Sequence, residues 1–105
     1  SQNDQEMKFR QTVESNVFAD LTLEELAYLC NMSLSSFKRH FQKYYGTTPK
    51  QWMIKERMRL AAILLRKGER PTDIYPKAGY SPLSNFVKAY RLFHGKTPKA
   101  AANAK

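Results

Sequence analysis

Apolar residues in this chain recur mainly at helical spacing. Phe9, Val13 and Val17 stand at i, i+4 and i+8 with Met7 nearby, which predicts a first amphipathic helix over residues 5–18 that packs on the helices after it. Next, Leu21-Thr22-Leu23-Glu24-Glu25-Leu26 carries a double helix-start signal. Thr22 as N-cap with Glu25 at N3 makes a capping box, and Leu21 and Leu26 make a hydrophobic staple. The second helix, which starts there, is short and is expected to bury Leu26, Leu29 and Cys30. Asn31 can take a left-handed conformation and Ser33 is a fresh N-cap, so a turn of three residues leads into a third helix.

Phe37, Phe41, Tyr44 and Tyr45 lie on one face of that third helix. At 100° per residue, Ser35, Arg39 and Gln42 fall on the opposite face, flanked by Lys38 and Lys43. A short capped helix, a turn and a second helix with a basic outer face make a helix-turn-helix arrangement. Gly46 closes the third helix as a C′ residue, and Thr48-Pro49 supplies an N-cap and a proline at N1.

Residues 48–67, TPKQWMIKERMRLAAILLRK, form the segment most strongly committed to helix, with Gln51 at N3 completing another capping box. Trp52, Met53, Ile54, Met58, Leu60 and the run from Ala61 to Leu65 make it apolar on more than one side, as expected of a helix serving two small cores. Its length is about 30 Å at ~1.5 Å per residue, close to the ~34 Å of one turn of B-DNA. Gly68 stops it.

A repeat gives the spacing a purpose. Offset by 49 residues, Phe37, Phe41 and Gly46-Thr47-Thr48-Pro49 reappear as Phe86, Tyr90 and Gly95-Lys96-Thr97-Pro98. A second helix-turn-helix is therefore predicted. Pro71 and Thr72 start its first helix, which is expected to contain Pro76; Gly79 makes the turn, and Ser81-Pro82 cap the second helix. Phe86, Tyr90 and Phe93 take the buried face there. Ser84, Lys88 and Arg91 repeat the wheel positions of Ser35, Arg39 and Gln42, while Asn85 matches Ser36 and Val87 matches Lys38. The fold class is all-α: two helix-turn-helix subdomains joined by a long central helix, about seven helices, divided as residues 1–47, 48–67 and 68–105.

Charge adds a partner. Residues 1–25 hold six acids against Lys8 and Arg10, a balance of −4, whereas residues 26–105 hold 16 Lys and Arg against three acids, a balance of +13. Such an imbalance suits a polyanion, because neutralising phosphates releases counterions. No apolar run approaches the ~18 residues of a membrane span and no leader pattern opens the chain, so a soluble, intracellular protein with no membrane partner is expected. Cys30 has no partner for a disulfide and no neighbours at zinc-ligand spacing; it reads as a small core residue. His40 and His94 lack a carboxylate or cysteine at catalytic spacing, and there is no glycine-rich phosphate loop, so no enzyme, metal or cofactor is expected.

Arg57-Met58-x-x-Ala61-x-x-Leu64-Leu65, then Asp73-Ile74, Ala78-Gly79-Tyr80-Ser81, Ser84, Phe86, Lys88, Tyr90, Phe93 and Gly95-x-Thr97-Pro98 resemble one known pattern. Over about residues 20–98 the chain resembles the DNA-binding domain of AraC/XylS-type bacterial transcription regulators. The resemblance implies sequence-specific binding of double-stranded DNA, with two recognition helices in successive major grooves. By position, base-reading falls to Ser35, Ser36, Lys38 and Arg39 in the first reader and to Leu83, Ser84, Asn85 and Lys88 in the second. Arg39 can donate to guanine O6 and N7, Lys38 and Lys88 less well, and Asn85 can pair with adenine; Leu83 faces either a thymine methyl or the core. Thr22, Gln42, Lys43, Thr48, Lys50, Arg91, Lys96 and Lys99 are candidates for phosphate contacts, the alternative for each lysine being a solvated surface charge.

Two readers with different side chains imply an asymmetric target. The alternative reading is a helix-turn-helix adaptor that has lost DNA binding and contacts RNA polymerase or another regulator. The sequence departs from the family pattern at Pro71, at Pro76 and in the alanine-rich tail, for which a short final helix is expected. The polar Ser1-Gln2-Asn3-Asp4-Gln5 stretch resembles a linker, so the chain is expected to belong to a longer cytoplasmic regulator whose dimerisation, if any, lies in another domain.

Overall fold

The computed structural model describes residues 2–104; Ser1 of the linker-like stretch and Lys105 of the tail lie outside the described residues. Among these the chain forms seven helices and no strand: α1 (Gln2–Ser15), α2 (Leu23–Leu29), α3 (Leu34–Tyr45), α4 (Pro49–Arg66), α5 (Pro71–Ile74), α6 (Leu83–His94) and α7 (Pro98–Asn103). They group into two compact units, one running to Ile54 and the other from Lys55, so the boundary falls inside α4. None of these helices is long and apolar enough to cross a membrane.

In the first unit Phe9, Val13, Val17, Leu26, Ala27, Phe37, Phe41 and Met53 are buried. The core is an aromatic cluster. The Phe9 ring lies 5.3 Å from Phe37 and 5.1 Å from Tyr44, and Tyr45 stacks 4.5 Å from Phe41 and sits 4.9 Å from Trp52. Such pairs add about 0.5–1.5 kcal/mol each beyond their burial. Polar contacts latch α1 onto the end of α3. Arg10 Nη2 donates to the Tyr44 carbonyl at 2.6 Å, its guanidinium lies 4.6 Å over the Tyr45 ring, and the Tyr45 hydroxyl donates to Glu14 Oε2 at 2.7 Å. Burial, and then the Glu14 carboxylate, push the Tyr45 phenol well above its ordinary pKa.

Local signals account for how α2 and α3 begin and end. Glu25 N donates to Thr22 Oγ1 at 3.1 Å and Thr22 N donates to Glu25 Oε1 at 2.9 Å, completing the capping box. Asn31 turns the chain at φ 58°, and Ser33 Oγ accepts from Ser36 N at 3.2 Å to start α3. Gly46 ends α3 at φ 71°.

Three expectations need correction in this unit. Met7 is 66% exposed, because at i−2 from Phe9 it points about 200° away from the buried stripe. Leu29 is 47% exposed and Cys30 is half-buried; both line an open cleft between α1 and the turn, so neither is a core residue. Thr48 caps α4 by accepting from Gln51 N at 3.3 Å, but the Gln51 side-chain oxygen accepts from Thr47 Oγ1 at 2.9 Å, leaving only half a capping box.

The second unit buries Met58, Ala61 and Leu65 of α4 with Ile74, Ala78, Phe86, Tyr90 and Ala101. Its first helix is shorter than expected. α5 is a single turn with Pro71 at its N-terminus, and Pro76 lies beyond it, in the turns that lead to Gly79. Proline has no amide to continue the i→i−4 ladder, so the helix ends before it. Gly79 turns at φ 85°. A Cβ there would stand 2.9 Å from Arg57 Nη1.

The residue at the α6 N-cap is Pro82, not Ser81, and no side chain caps the helix. Pro82 stands 49 residues after Ser33, so the repeat keeps its register while losing its cap. Phe93 is 44% exposed rather than buried. The inward position in that last turn belongs to His94, whose Nε2 donates to the Met58 carbonyl at 2.9 Å and whose ring lies 4.3 Å from Tyr90. Gly95 at φ 79° ends α6, and Thr97 caps α7 by accepting from Ala100 N at 3.1 Å.

Candidate nucleic-acid interface

In the first unit, burial of Phe37 and Phe41 forces the opposite side of α3 outward. Ser35, Lys38, Arg39, Gln42 and Lys43 are all exposed there. Ser36 differs from this set. It is half-buried, and His40 Nδ1 donates to its carbonyl at 2.7 Å while lying 3.3 Å from its hydroxyl. Ser36 therefore sits on the flank of α3 beside the open cleft, engaged within its own helix.

In the second unit, burial of Phe86 and Tyr90 does the same for α6, leaving Ser84, Asn85, Lys88 and Arg91 exposed and Leu83 and Val87 half-buried. Asn85 Nδ2 donates to the Ser81 carbonyl at 2.9 Å, so this exposed side chain is engaged with its own backbone. Leu92 was overlooked in the sequence. It is 91% exposed beside Lys88 and Arg91, and the 49-residue offset makes it the counterpart of Lys43. The signal that would have found it was the repeat, carried one residue beyond Arg91.

The candidate phosphate contacts Thr22, Thr48, Lys50, Lys96 and Lys99 are also exposed. Thr22 and Thr48 cap α2 and α4, where helix amides raise the local affinity for anions. Neither α3 nor α6 contains an Asp or Glu. Elsewhere in the chain, by contrast, Arg10, Arg59, Arg70 and Lys77 pair with Glu6, Glu56, Asp73 and Glu69. Both outer faces thus concentrate cations and hydrogen-bonding side chains on helices without acids. Among the described residues no group of three His, Cys, Asp or Glu side chains could hold a metal.

Two helix-turn-helix units in one all-helical chain define the class, and comparison with known proteins supplies the family. Residues 26–104 match the family model described as a helix-turn-helix domain. The chain is 33% identical over 100 residues to the virulence regulon transcriptional activator VirF of Yersinia enterocolitica and, to the same extent, to the thermoregulatory protein LcrF of Yersinia pestis, covering 94% of this chain and 37% of each relative. It is similar in structure to an AraC-type transcriptional regulator of Chromobacterium violaceum, with a TM-score of 0.79 at 23% identity over 97% of this chain and 92% of that one. The DNA-binding domain of AdpA, solved in complex with a target DNA, superposes with a TM-score of 0.77 at 24% identity over 92% of this chain and 91% of that one. This chain belongs to the AraC/XylS family of transcription regulators, as a C-terminal DNA-binding domain of that family, which is a family of regulators and not of enzymes. It spans little more than a third of the length of the curated relatives it matches.

Proposed function

We propose that this domain binds double-stranded DNA sequence-specifically to control transcription, with α3 and α6 as readers in successive major grooves of an asymmetric site. The observation that carries this reading is the pair of acid-free outer faces, alike in wheel position and unlike in chemistry: Ser35, Lys38, Arg39 and Gln42 against Ser84, Val87, Lys88 and Arg91. The 18 residues of α4 give a helix of roughly 27 Å, which suits readers spaced by about one turn of duplex.

Arg39 is the residue suited to bidentate pairing with guanine, a contact that discriminates by about 1–3 kcal/mol. Lys38 and Lys88 donate to acceptors as single charges, Asn85 pairs with adenine once released from Ser81, and Leu83 meets a thymine methyl. Ser35, Ser36 and Ser84 discriminate less, and Ser36 contributes only if it turns from His40. Thr22, Gln42, Lys43, Thr48, Lys50, Arg91, Lys96 and Lys99 hold phosphates and set register. No cofactor takes part. The setting is the bacterial cytoplasm with the protein on the nucleoid when bound; any contact with RNA polymerase uses surface left free by DNA, and any dimerisation uses protein outside this chain.

Selection from a pool of random duplexes tests the reading. The expected outcome is a non-palindromic consensus of roughly 16–20 bp, with affinity falling steeply as salt rises. Recovery of no consensus would remove the reading in favour of the adaptor function.

A further inference from the structure

Behind the second reader, α4, α6 and α7 line a half-open cavity of about 400 Å³. Its apolar side is made of Ala62 and Ile63 from α4 with Ala101 and Ala104. Arg59, Arg66, His94 and Lys96 also line it, and among the described residues no carboxylate does. Arg59 is already held by Glu56 on its own helix. Burial raises the pKa of the Tyr90 phenol, which also lines the cavity, and the Arg66 charge partly opposes that rise; Lys96 stands in the loop between α6 and α7. The alanines help account for the space: α7 reads Pro-Lys-Ala-Ala-Ala-Asn, and from this end only Ala101 and Ala104 line the cavity.

We propose that this cavity binds a small amphipathic anion, a carboxylate or phosphate monoester carried on a compact apolar body. The cations would hold the charged head and the apolar side would cover the body, the usual division of labour in a ligand site with apolar lining and a few placed polar groups. A volume of this order suits a ligand of one or two rings. Lys96, proposed above as a DNA-phosphate contact, would be shared between duplex and ligand; a DNA phosphate at Lys96 and Arg66 would leave Ala62, Ile63 and Ala101 uncovered, so the apolar lining favours the small ligand as occupant of the cavity itself. The site would touch Tyr90 on the inner face of α6, whose outer face carries Ser84, Lys88 and Arg91. Its occupancy would thereby reach the helix that reads DNA.

Nuclear magnetic resonance on the ¹⁵N-labelled 105-residue chain tests this with four probes: 2-naphthoate, 1-naphthyl phosphate, inorganic phosphate and the neutral 2-naphthalenemethanol. The two naphthyl anions are expected to give saturable shifts at the amides of Ala62, Ile63, Lys96 and Ala101, and to bind at least about tenfold more tightly than either inorganic phosphate or the alcohol. Arg66→Gln should weaken 2-naphthoate by about tenfold. Ala62→Leu, which fills the apolar side, should abolish saturation while leaving the shifts of residues 2–50 unchanged. Three results would overturn the proposal: anion shifts spread equally over Lys38, Arg39 and Lys88; undiminished binding in both variants; or a duplex that moves the same four amides and excludes both naphthyl anions, which would assign the cavity to the DNA backbone.

Discussion

The two helix-turn-helix units repeat one geometry but define their helices by different means. The first relies on local chemistry: a full capping box at Thr22 and Glu25, a serine cap at Ser33, and an aromatic cluster latched by Arg10 and Tyr45. In the second, Arg70 and Pro82 occupy the cap positions without a side-chain cap, and the first helix is one turn long. Its order comes from burial of Ile74, Phe86 and Tyr90 together with Met58, Ala61 and Leu65 of α4. A helix-turn-helix can therefore be specified mainly by its ends or mainly by its core, and the two cases should fail differently.

Removing a core aromatic should have the largest effect. Phe37→Ala and Phe86→Ala each delete a fully buried ring, at an expected cost of about 3–5 kcal/mol. That is a large share of the stability of a small domain. Residue-resolved hydrogen exchange should show each loss concentrated in the unit that contains the substitution; equal loss throughout the chain would make the two units one cooperative body.

The turns come next. Gly79→Ala must hold φ near 85° and push the Arg57 guanidinium aside, whereas Gly46→Ala meets no atom within 4 Å. The left-handed conformation alone costs about 1–2 kcal/mol in either variant. Gly79→Ala should sit at the upper end of that range by urea denaturation and Gly46→Ala at the lower end.

Caps separate the units more sharply. Thr22→Ala and Ser33→Ala each remove a side-chain acceptor and should cost about 1 kcal/mol. Arg70→Ala, at a cap position with no side-chain cap, should stay within about 0.5 kcal/mol. Thermal melts of the three variants would blur the contrast if all fell by the same amount.

The smallest effect is on pH dependence. Hydrogen bonds from the backbone and then the side chain of Thr22 hold the Glu25 carboxyl below its ordinary pKa. A depressed carboxylate contributes stability that is complete above its unfolded-state pKa and is lost as pH falls through the folded-state value. Acid should therefore weaken α2 in the wild type, with Glu25→Gln abolishing that part of the pH dependence. The carboxyl is fully solvated, so the change should be a slight shift in the acid limb of a melting profile.

These contrasts also explain what could be read in advance. Caps and left-handed positions are short-range properties, so Thr22, Asn31, Ser33, Gly46 and Gly79 were legible from neighbouring residues alone, while Gly95 and Thr97 came only through the 49-residue repeat. The buried pairs Phe37 and Phe41, Phe86 and Tyr90 came from period and offset. Leu29 and Phe93 did not. A helical wheel gives the direction in which a side chain leaves its helix but not whether anything covers it, and both residues stand in the last turn of a helix where cover runs out. Ser36 and Asn85 were placed on the right helices, while their bonds to His40 and to the Ser81 carbonyl depend on rotamers that no pattern encodes. Pro76 was expected inside α5, where its missing amide would cost little in the first turn; instead α5 ends before it, so the local proline rule prevailed over the longer helix.

The central claim is that α3 and α6 read different halves of one site, and paired selections from random duplexes test it most directly. Arg39→Ala should erase sequence preference in one half of the selected consensus and Lys88→Ala should relax the other half, with Arg39 costing about 1–3 kcal/mol on the preferred site. If both variants instead weaken binding equally on every sequence and leave the consensus intact, the two faces hold phosphates rather than bases, and the two-reader account is wrong.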